Sequence, residues 1–366
     1  MKIEAARLED WLRDYYFSNE VDIGSSGVES FSMADLRLLT GITESQLDAI
    51  VFDDSRSCGS PELRQAIATR WGNGDPERVM ATHGSSEAIF LVMQSLLERG
   101  DEVIVLDPCY QSLVSIAEAI GCHVRRWPLR AVNGFVPDLN DLTPLLGAKT
   151  RMVIVNFPHN PTGATLSVAQ QQELVERVAA TDAYLIWDAA FADLTYDSSP
   201  LPDPGLFYPR TVSFGTLSKG YGLPGLRVGW ALAAAEVLQQ CVCWRDYTTL
   251  ALSPLVELVA CRAIAHADVL LQRRLGQAKT NLARLTQWMA EHQEQVRWSV
   301  PRGGVTAFPY LSTVTDSESF CHLLAQQYGV LLVPGTCFNH RQHVRLGFGG
   351  ATERFTLGLE RLSTAL

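Results

Sequence analysis

The chain lacks the marks of several large protein classes. Its 366 residues contain no C-x-x-C pair, and among eight cysteines the one close spacing is Cys241 with Cys243. A zinc ribbon and a dense disulfide framework are thereby excluded, and reduced thiols are expected. No run of about 18 uncharged apolar residues occurs, so no membrane span is expected. The apolar stretch near 249–265 is broken by Pro254, Glu257 and Arg262. The opening MKIEAARLEDWLRDYY carries acids where a secretory leader needs an apolar core, which points to a cytoplasmic protein. Basic residues are outnumbered: 30 Lys and Arg against 40 Asp and Glu give a formal net charge of -10. A large nucleic-acid footprint is excluded, and a basic substrate is electrostatically welcome. There is no internal repeat and no low-complexity tract.

Hydrophobic residues at 47%, charged residues at 19% and 27 glycines describe a folded globular chain. At about 100–200 residues per domain, its length suits two lobes. From about residue 60 to 232, helical and strand-like segments alternate. Ser60-Pro61-Glu62 reads as a cap, a first-turn proline and a first-turn acid, opening a helix toward Trp71. Val79 to Thr82, DEVIVL, MVIVNF, AYLIWD, TVSFG and RVGWALA read as strands. Several are apolar on both faces, as a parallel sheet covered by helices requires. After about 253 a long helix (Leu270 to His292) precedes VRWSV, VTAFPYL, VLLVP and HVRLGF, a smaller α+β lobe. The expected division is an N-terminal segment 1–50, packing on the small lobe or across a mouth, a large domain 51–252 and a small domain 253–366.

Five features carry chemistry. In SFGTLSKGYGLPGLRVGW (213–230) an apolar strand runs into Thr216 and Lys219, then a glycine-rich turn, then Arg227. A Schiff-base lysine needs such a partly desolvated place beside an anion subsite; otherwise this lysine is a solvated loop residue. NFPHNPTG (156–163) follows a strand and presents Asn160 from a rigid turn, or is a turn alone. Asp188 ends AYLIWD, where a carboxylate needs a cation or strong donor, or caps the next segment. THGSSEA (82–88) offers hydroxyls and amides at a helix start, suited to an anion or to simple capping. Arg345 interrupts HVRLGFG (343–349) and suits a bidentate carboxylate, or is an edge-strand charge.

In this order and spacing the motifs resemble the fold-type I pyridoxal-5′-phosphate (PLP) enzymes of the aspartate aminotransferase superfamily, over essentially the whole chain. The resemblance implies an α/β large domain with a mainly parallel seven-stranded sheet between helices, plus a smaller α+β domain. It implies that Lys219 binds PLP covalently, that Asp188 faces the ring nitrogen and that Asn160 lies on the ring-hydroxyl side. Ser85, Ser86, Thr216 and Arg227 would hold the phosphate, Tyr110 of DPCY would stack on the ring, and Arg345 would grip the substrate carboxylate. It further implies a homodimer with shared active sites and no metal.

Two positions depart from an aminotransferase. Phe191 stands where relatives carry a tyrosine on the ring hydroxyl, and FDDSRSCG before Gly59 replaces a tyrosine that reaches the partner's phosphate. Together with RLEDWLRDYYFSNEVDIGSSGVESF, SPLVE and VPRGGVTAFP, these look similar to the hydroxyarginine cyclases, the capreomycidine synthases and the enduracididine-forming cyclases of guanitoxin biosynthesis. That resemblance implies dehydration of a hydroxy-L-arginine and closure of its guanidine onto the chain. A γ-hydroxyl leads to the five-membered ring of L-enduracididine and a β-hydroxyl to the six-membered ring of capreomycidine. Ordinary Gln and Ile usage favours the γ-hydroxy substrate. Glu9, Asp10, Asp53 and Asp54 are the acids available to a guanidinium, or are surface charges. Ser25 and His83 are available to substrate, with His83 also suited to proton transfer or to local capping. An ordinary aminotransferase and a non-catalytic amine-sensing module are the competing readings.

Overall fold

A computed structural model describes residues 2–366. Its centre is a seven-stranded sheet whose strands we number in chain order: β1 (Val79–Thr82), β2 (Glu102–Asp107), β3 (His123–Pro128), β4 (Thr150–Asn156), β5 (Tyr184–Asp188), β6 (Thr211–Thr216) and β7 (Gly229–Leu232). The spatial order is β1-β7-β6-β5-β4-β2-β3, and all neighbours are parallel except β7, which runs antiparallel to β6 and β1. β1, β6 and β7 are buried along their whole length, which is why their sequences show no polar alternation. β3 differs: its HVRRWP sequence is mostly part-exposed and pairs only with β2. An edge strand tolerates arginines, so a search for apolar runs passes over it.

Five helices lead into and flank the start of the sheet: α1 (Arg7–Tyr15), α2 (Met33–Thr40), α3 (Glu44–Asp48), α4 (Pro61–Trp71) and α5 (Gly84–Leu96). Ser60 caps α4 by accepting from the Leu63 amide at 3.3 Å, with Pro61 in the first turn. α1 buries Leu8 and Trp11, and the Trp11 indole donates to the Leu332 carbonyl at 3.0 Å. Val21–Asp22 forms a short parallel pair with Val330–Leu331. The Gly24–Gly27 turn follows. The helices α2 and α3 come after that turn.

Beyond residue 253 come the helices Pro254–Ala265 and Ala267–Glu291, then short strands and the helices Ser317–Tyr328 and Thr352–Ala365. Thr306–Ala307, Val344–Gly347 and Val333–Pro334 make a three-stranded antiparallel sheet. VRWSV yields only the strand Val296–Arg297 before Pro301 and the Gly303-Gly304 turn. Pro309 falls between the strands Thr306–Ala307 and Tyr310–Leu311. Among the described residues all cysteines are free, and no helix is long and apolar enough to cross a membrane.

The sheet closes tightly over the start of α5. A Cβ on Gly229 would meet the Ser85 nitrogen at 2.4 Å and the Gly84 carbonyl carbon at 2.5 Å. Both are backbone atoms and cannot swing aside. Gly229→Ala is expected to lower unfolding free energy by about 1–3 kcal/mol, read by chemical denaturation. A loss below about 0.5 kcal/mol, the range of a neutral surface change, would contradict this packing.

Candidate active site

The site lies at the carboxyl ends of β4, β5 and β6, where an open α/β sheet presents its loops. β4 ends at Asn156. Its side chain donates to the Asp188 carbonyl at 2.8 Å and accepts the Asn160 amide at 2.7 Å, fixing two elements of the site with one residue. Asp188, at the end of β5, is 5% exposed, and one carboxylate oxygen accepts the Ala190 amide at 3.0 Å. Burial pushes its carboxyl up to about 6, against the opposing pull of that amide and of Lys219. A buried carboxylate in this state favours a cationic N–H partner.

β6 ends at Thr216, whose hydroxyl donates to the Val228 carbonyl and accepts the Ser218 amide, at 3.0 and 3.1 Å. That pins both arms of the loop carrying Lys219. Burial lowers the Lys219 amine to about 8, helped by the charges of Arg345 and Arg227 and opposed by Glu9 and Asp188. Its nitrogen donates to the Ser26 hydroxyl at 2.9 Å and lies 5.7 Å from the centre of the Phe191 ring. Phe191 is buried, so no phenol stands there.

The third part is the start of α5. Gly84 has φ of +75°, and a Cβ on it would meet the Arg227 Nη2 at 2.4 Å. Arg227 itself adopts φ of +55°, a left-handed conformation unusual for a side-chain-bearing residue. The two irregularities bring a guanidinium against free helix amides, beside half-buried Ser85, exposed Ser86 and buried Thr216. The amides, the two serine hydroxyls and the guanidinium all donate hydrogen bonds, so the cradle fits a dianionic phosphate, which the Thr216 hydroxyl would join by turning from the Val228 carbonyl. Amine, buried carboxylate and anion cradle together fit PLP.

Opposite them, Arg345 is 1% exposed, and its Nε donates to the Gly24 carbonyl at 3.0 Å and its Nη1 to the Asn160 side-chain oxygen at 3.4 Å. Burial lowers its guanidinium to about 10. A buried arginine held by neutral oxygens is suited to receive a carboxylate. The Tyr110 hydroxyl donates to Glu9 on α1 at 3.1 Å, and burial with that nearby charge pushes the phenol up to about 12.

Lys219, Asp188, Asn160, Tyr110, Glu9, Thr216, Arg227 and Arg345 are therefore linked by contact or by field. Other expected residues stand apart. Asp10 spends its carboxylate on Arg13 within α1 and makes no contact with the cluster. Asp53 and Asp54 are exposed in a segment without regular structure and reach nothing in the site. The Ser25 amide bonds Asp22, while the neighbouring Ser26 meets Lys219. Two adjacent serines in a turn give no sequence sign of which one turns inward. His83 precedes α5 and engages Glu87, its amide at 2.5 Å and its ring nitrogen at 3.2 Å. Although burial opposes it, bonds from His83 and Thr249 and the Arg245 charge hold the Glu87 carboxyl down at about 2. The roles of Ser26 and Asn156 escaped sequence reading, although Asn156 opens a motif already singled out.

A family model described as aminotransferase class I and II matches residues 55–362. The chain is 46% identical to capreomycidine synthase of Streptomyces vinaceus over all of this chain and 94% of that protein. The crystal structure of the PLP-dependent cyclase OrfR superposes with a TM-score of 0.95 at 48% identity, covering 100% of this chain and 97% of that one. A PLP-dependent aminotransferase from Streptococcus suis 89-1591 gives a TM-score of 0.95 at 33% identity, over 100% and 98% of the two chains.

The enclosed amine has a measurable consequence. In cofactor-free protein, covalent capture of added PLP at Lys219 is expected to rise with a midpoint near pH 8, following the neutral amine. Lys219→Ala should abolish it, leaving Lys2, Lys149 and Lys279 to react as ordinary lysines. A midpoint near 10.5, the ordinary lysine value, would contradict the enclosure.

Proposed function

The chain belongs to the class I and II aminotransferase family, and we propose that within it the protein is a PLP-dependent cyclase acting on a hydroxy-L-arginine. The observation that carries this is the full-length 46% match to capreomycidine synthase, joined to an acid on α1 facing the buried amine and arginine. Bound PLP supplies an electron sink for the α-carbon. Lys219 removes and returns protons beside that carbon, because a buried amine near 8 exchanges protons near neutral pH. Asp188 would hold the ring nitrogen, Asn160 and Tyr110 would contact the ring, and Ser85, Ser86, Thr216 and Arg227 would hold the phosphate.

Arg345 grips the α-carboxylate, with Asn160 beside it. Glu9 receives the guanidinium and folds the side chain back toward the reacting carbon, which is where positioning gains rate. The exposed apolar pair Val51 and Phe52 beside Asp53 and Asp54 supports a homodimer in which those acids complete a neighbouring mouth. On this reading 1–50 closes the site, 51–252 binds the cofactor and 253–366 is the small domain. Free cysteines support a reducing, cytoplasmic setting.

The net change is loss of one water. A C–O bond to the hydroxylated carbon breaks and a bond from a guanidine nitrogen to that carbon forms. We favour γ-hydroxy-L-arginine closing to L-enduracididine, as in guanitoxin-type pathways, on composition. The capreomycidine synthase match favours a second reading, β-hydroxyarginine closing a six-membered ring. The aminotransferase relative favours a third, amino-group transfer to a 2-oxo acid.

Purified holoenzyme incubated separately with β- and γ-hydroxyarginine, without any 2-oxo acid, is expected to convert the γ-isomer to a product lighter by one water. Conversion of the β-isomer alone would favour the second reading, and a strict need for 2-oxo acid would overturn cyclisation. Glu9→Gln is expected to raise KM for hydroxyarginine about tenfold, the size of a lost charged hydrogen bond, and to leave KM for a substrate without a guanidinium nearly unchanged. Equal effects on both would remove Glu9 from guanidinium binding.

A further inference from the structure

The buried lysine amine lies in the field of charged groups on four elements: Arg345 on the strand Val344–Gly347, Glu9 on α1, Asp188 on β5 and Arg227 on the glycine-rich turn. Its hydrogen bond nevertheless goes to a neutral group, the hydroxyl of Ser26, at 2.9 Å. Ser26 is 8% exposed and sits in a segment clamped along its length. Asp22 accepts the Gly24 and Ser25 amides at 2.8 and 2.9 Å. Val28 donates to the Lys219 carbonyl, Glu29 to Gly349 and Phe31 to Gly222, at 3.4, 3.0 and 3.0 Å. The same segment gives the Gly24 carbonyl to Arg345. A Cβ on Gly347 would collide with the Ser25 carbonyl oxygen at 1.8 Å, so the strand bearing Arg345 lies directly against the turn.

We propose that Ser26 is a positioning residue for Lys219, its hydroxyl docking the ε-nitrogen whenever that nitrogen is not bonded to cofactor. This rests on the reading of Lys219 given above. A hydroxyl both accepts and donates. It accepts from the ammonium after a proton has been taken up, and donates to the lone pair of the neutral amine before the next transfer. A carboxylate in its place would serve only the charged form and would hold the proton. One short turn therefore sets the base and the carboxylate-binding arginine in a fixed relation.

The test uses full-length Ser26→Ala, Ser26→Thr and native protein. Ser26→Ala removes both bonds, but the charge-assisted bond from the ammonium is roughly twice as strong as the one to the neutral amine, so the charged form loses more. In Ser26→Ala the pH midpoint for covalent capture of PLP by cofactor-free protein is expected to fall by about half a unit or more. Turnover of the holoenzyme is expected to fall about tenfold in kcat, with KM within about twofold of native, since the substrate itself is not touched. Ser26→Thr, which keeps the hydroxyl, should restore both. An unmoved midpoint, an unmoved kcat, or a loss confined to KM would each overturn the proposal. If Ser26→Ala does not fold, Ser26→Cys, a weaker acceptor of similar size, carries the same outcomes. Lys219→Ala separates the two readings: covalent capture that survives in it with the midpoint near pH 8 refutes the assignment of Lys219, whatever Ser26 does.

Discussion

The site depends on keeping one amine buried, with its hold on a proton weakened, in the field of a buried carboxylate. Lys219 and Asp188 both lie away from bulk water, and each is displaced toward its uncharged form by that placement. The pair attracts, but the attraction does not fully offset the cost of desolvating either group. Such an arrangement is poor for stability and suits chemistry. A proton moves readily at the amine, and the carboxylate has capacity for a cation that the protein itself does not supply. Perturbed groups of this kind, set in one cluster, are what an acid–base site requires.

The scaffold explains how the cost is carried. Asn156 ties the end of β4 to both Asp188 and Asn160, and Thr216 ties both arms of the lysine loop. The remaining anchors come from far along the chain. Trp11 fixes α1 to Leu332, so that Glu9 arrives over the site from the N-terminal region. Gly24 reaches Arg345 across 321 positions of sequence. Lys219, Arg345 and Glu9 are thus all held by long-range contacts.

Much of this was legible in the sequence, for identifiable reasons. Strands buried on both faces advertise themselves as apolar runs, and Lys219, Asp188 and Arg345 stood out because each interrupts or ends such a run. Gly84 and Gly229 belonged to quoted motifs, although the close approaches that demand them are visible only in three dimensions. The charged edge strand β3 gave no apolar signal. Ser26 could not be told from Ser25, because which neighbour turns inward depends on the clamp around the turn. Asp10 looked equivalent to Glu9, yet the helix turns them about 100° apart and gives Asp10 to Arg13. Asp53 and Asp54 are exposed outside the cluster.

The most direct measurement is chemical. Holoenzyme reduced with borohydride and digested should yield one peptide bearing a pyridoxyl group, on Lys219, with Lys2, Lys149 and Lys279 unmodified. A stable label on any other lysine, or none at all, would contradict the account at its centre.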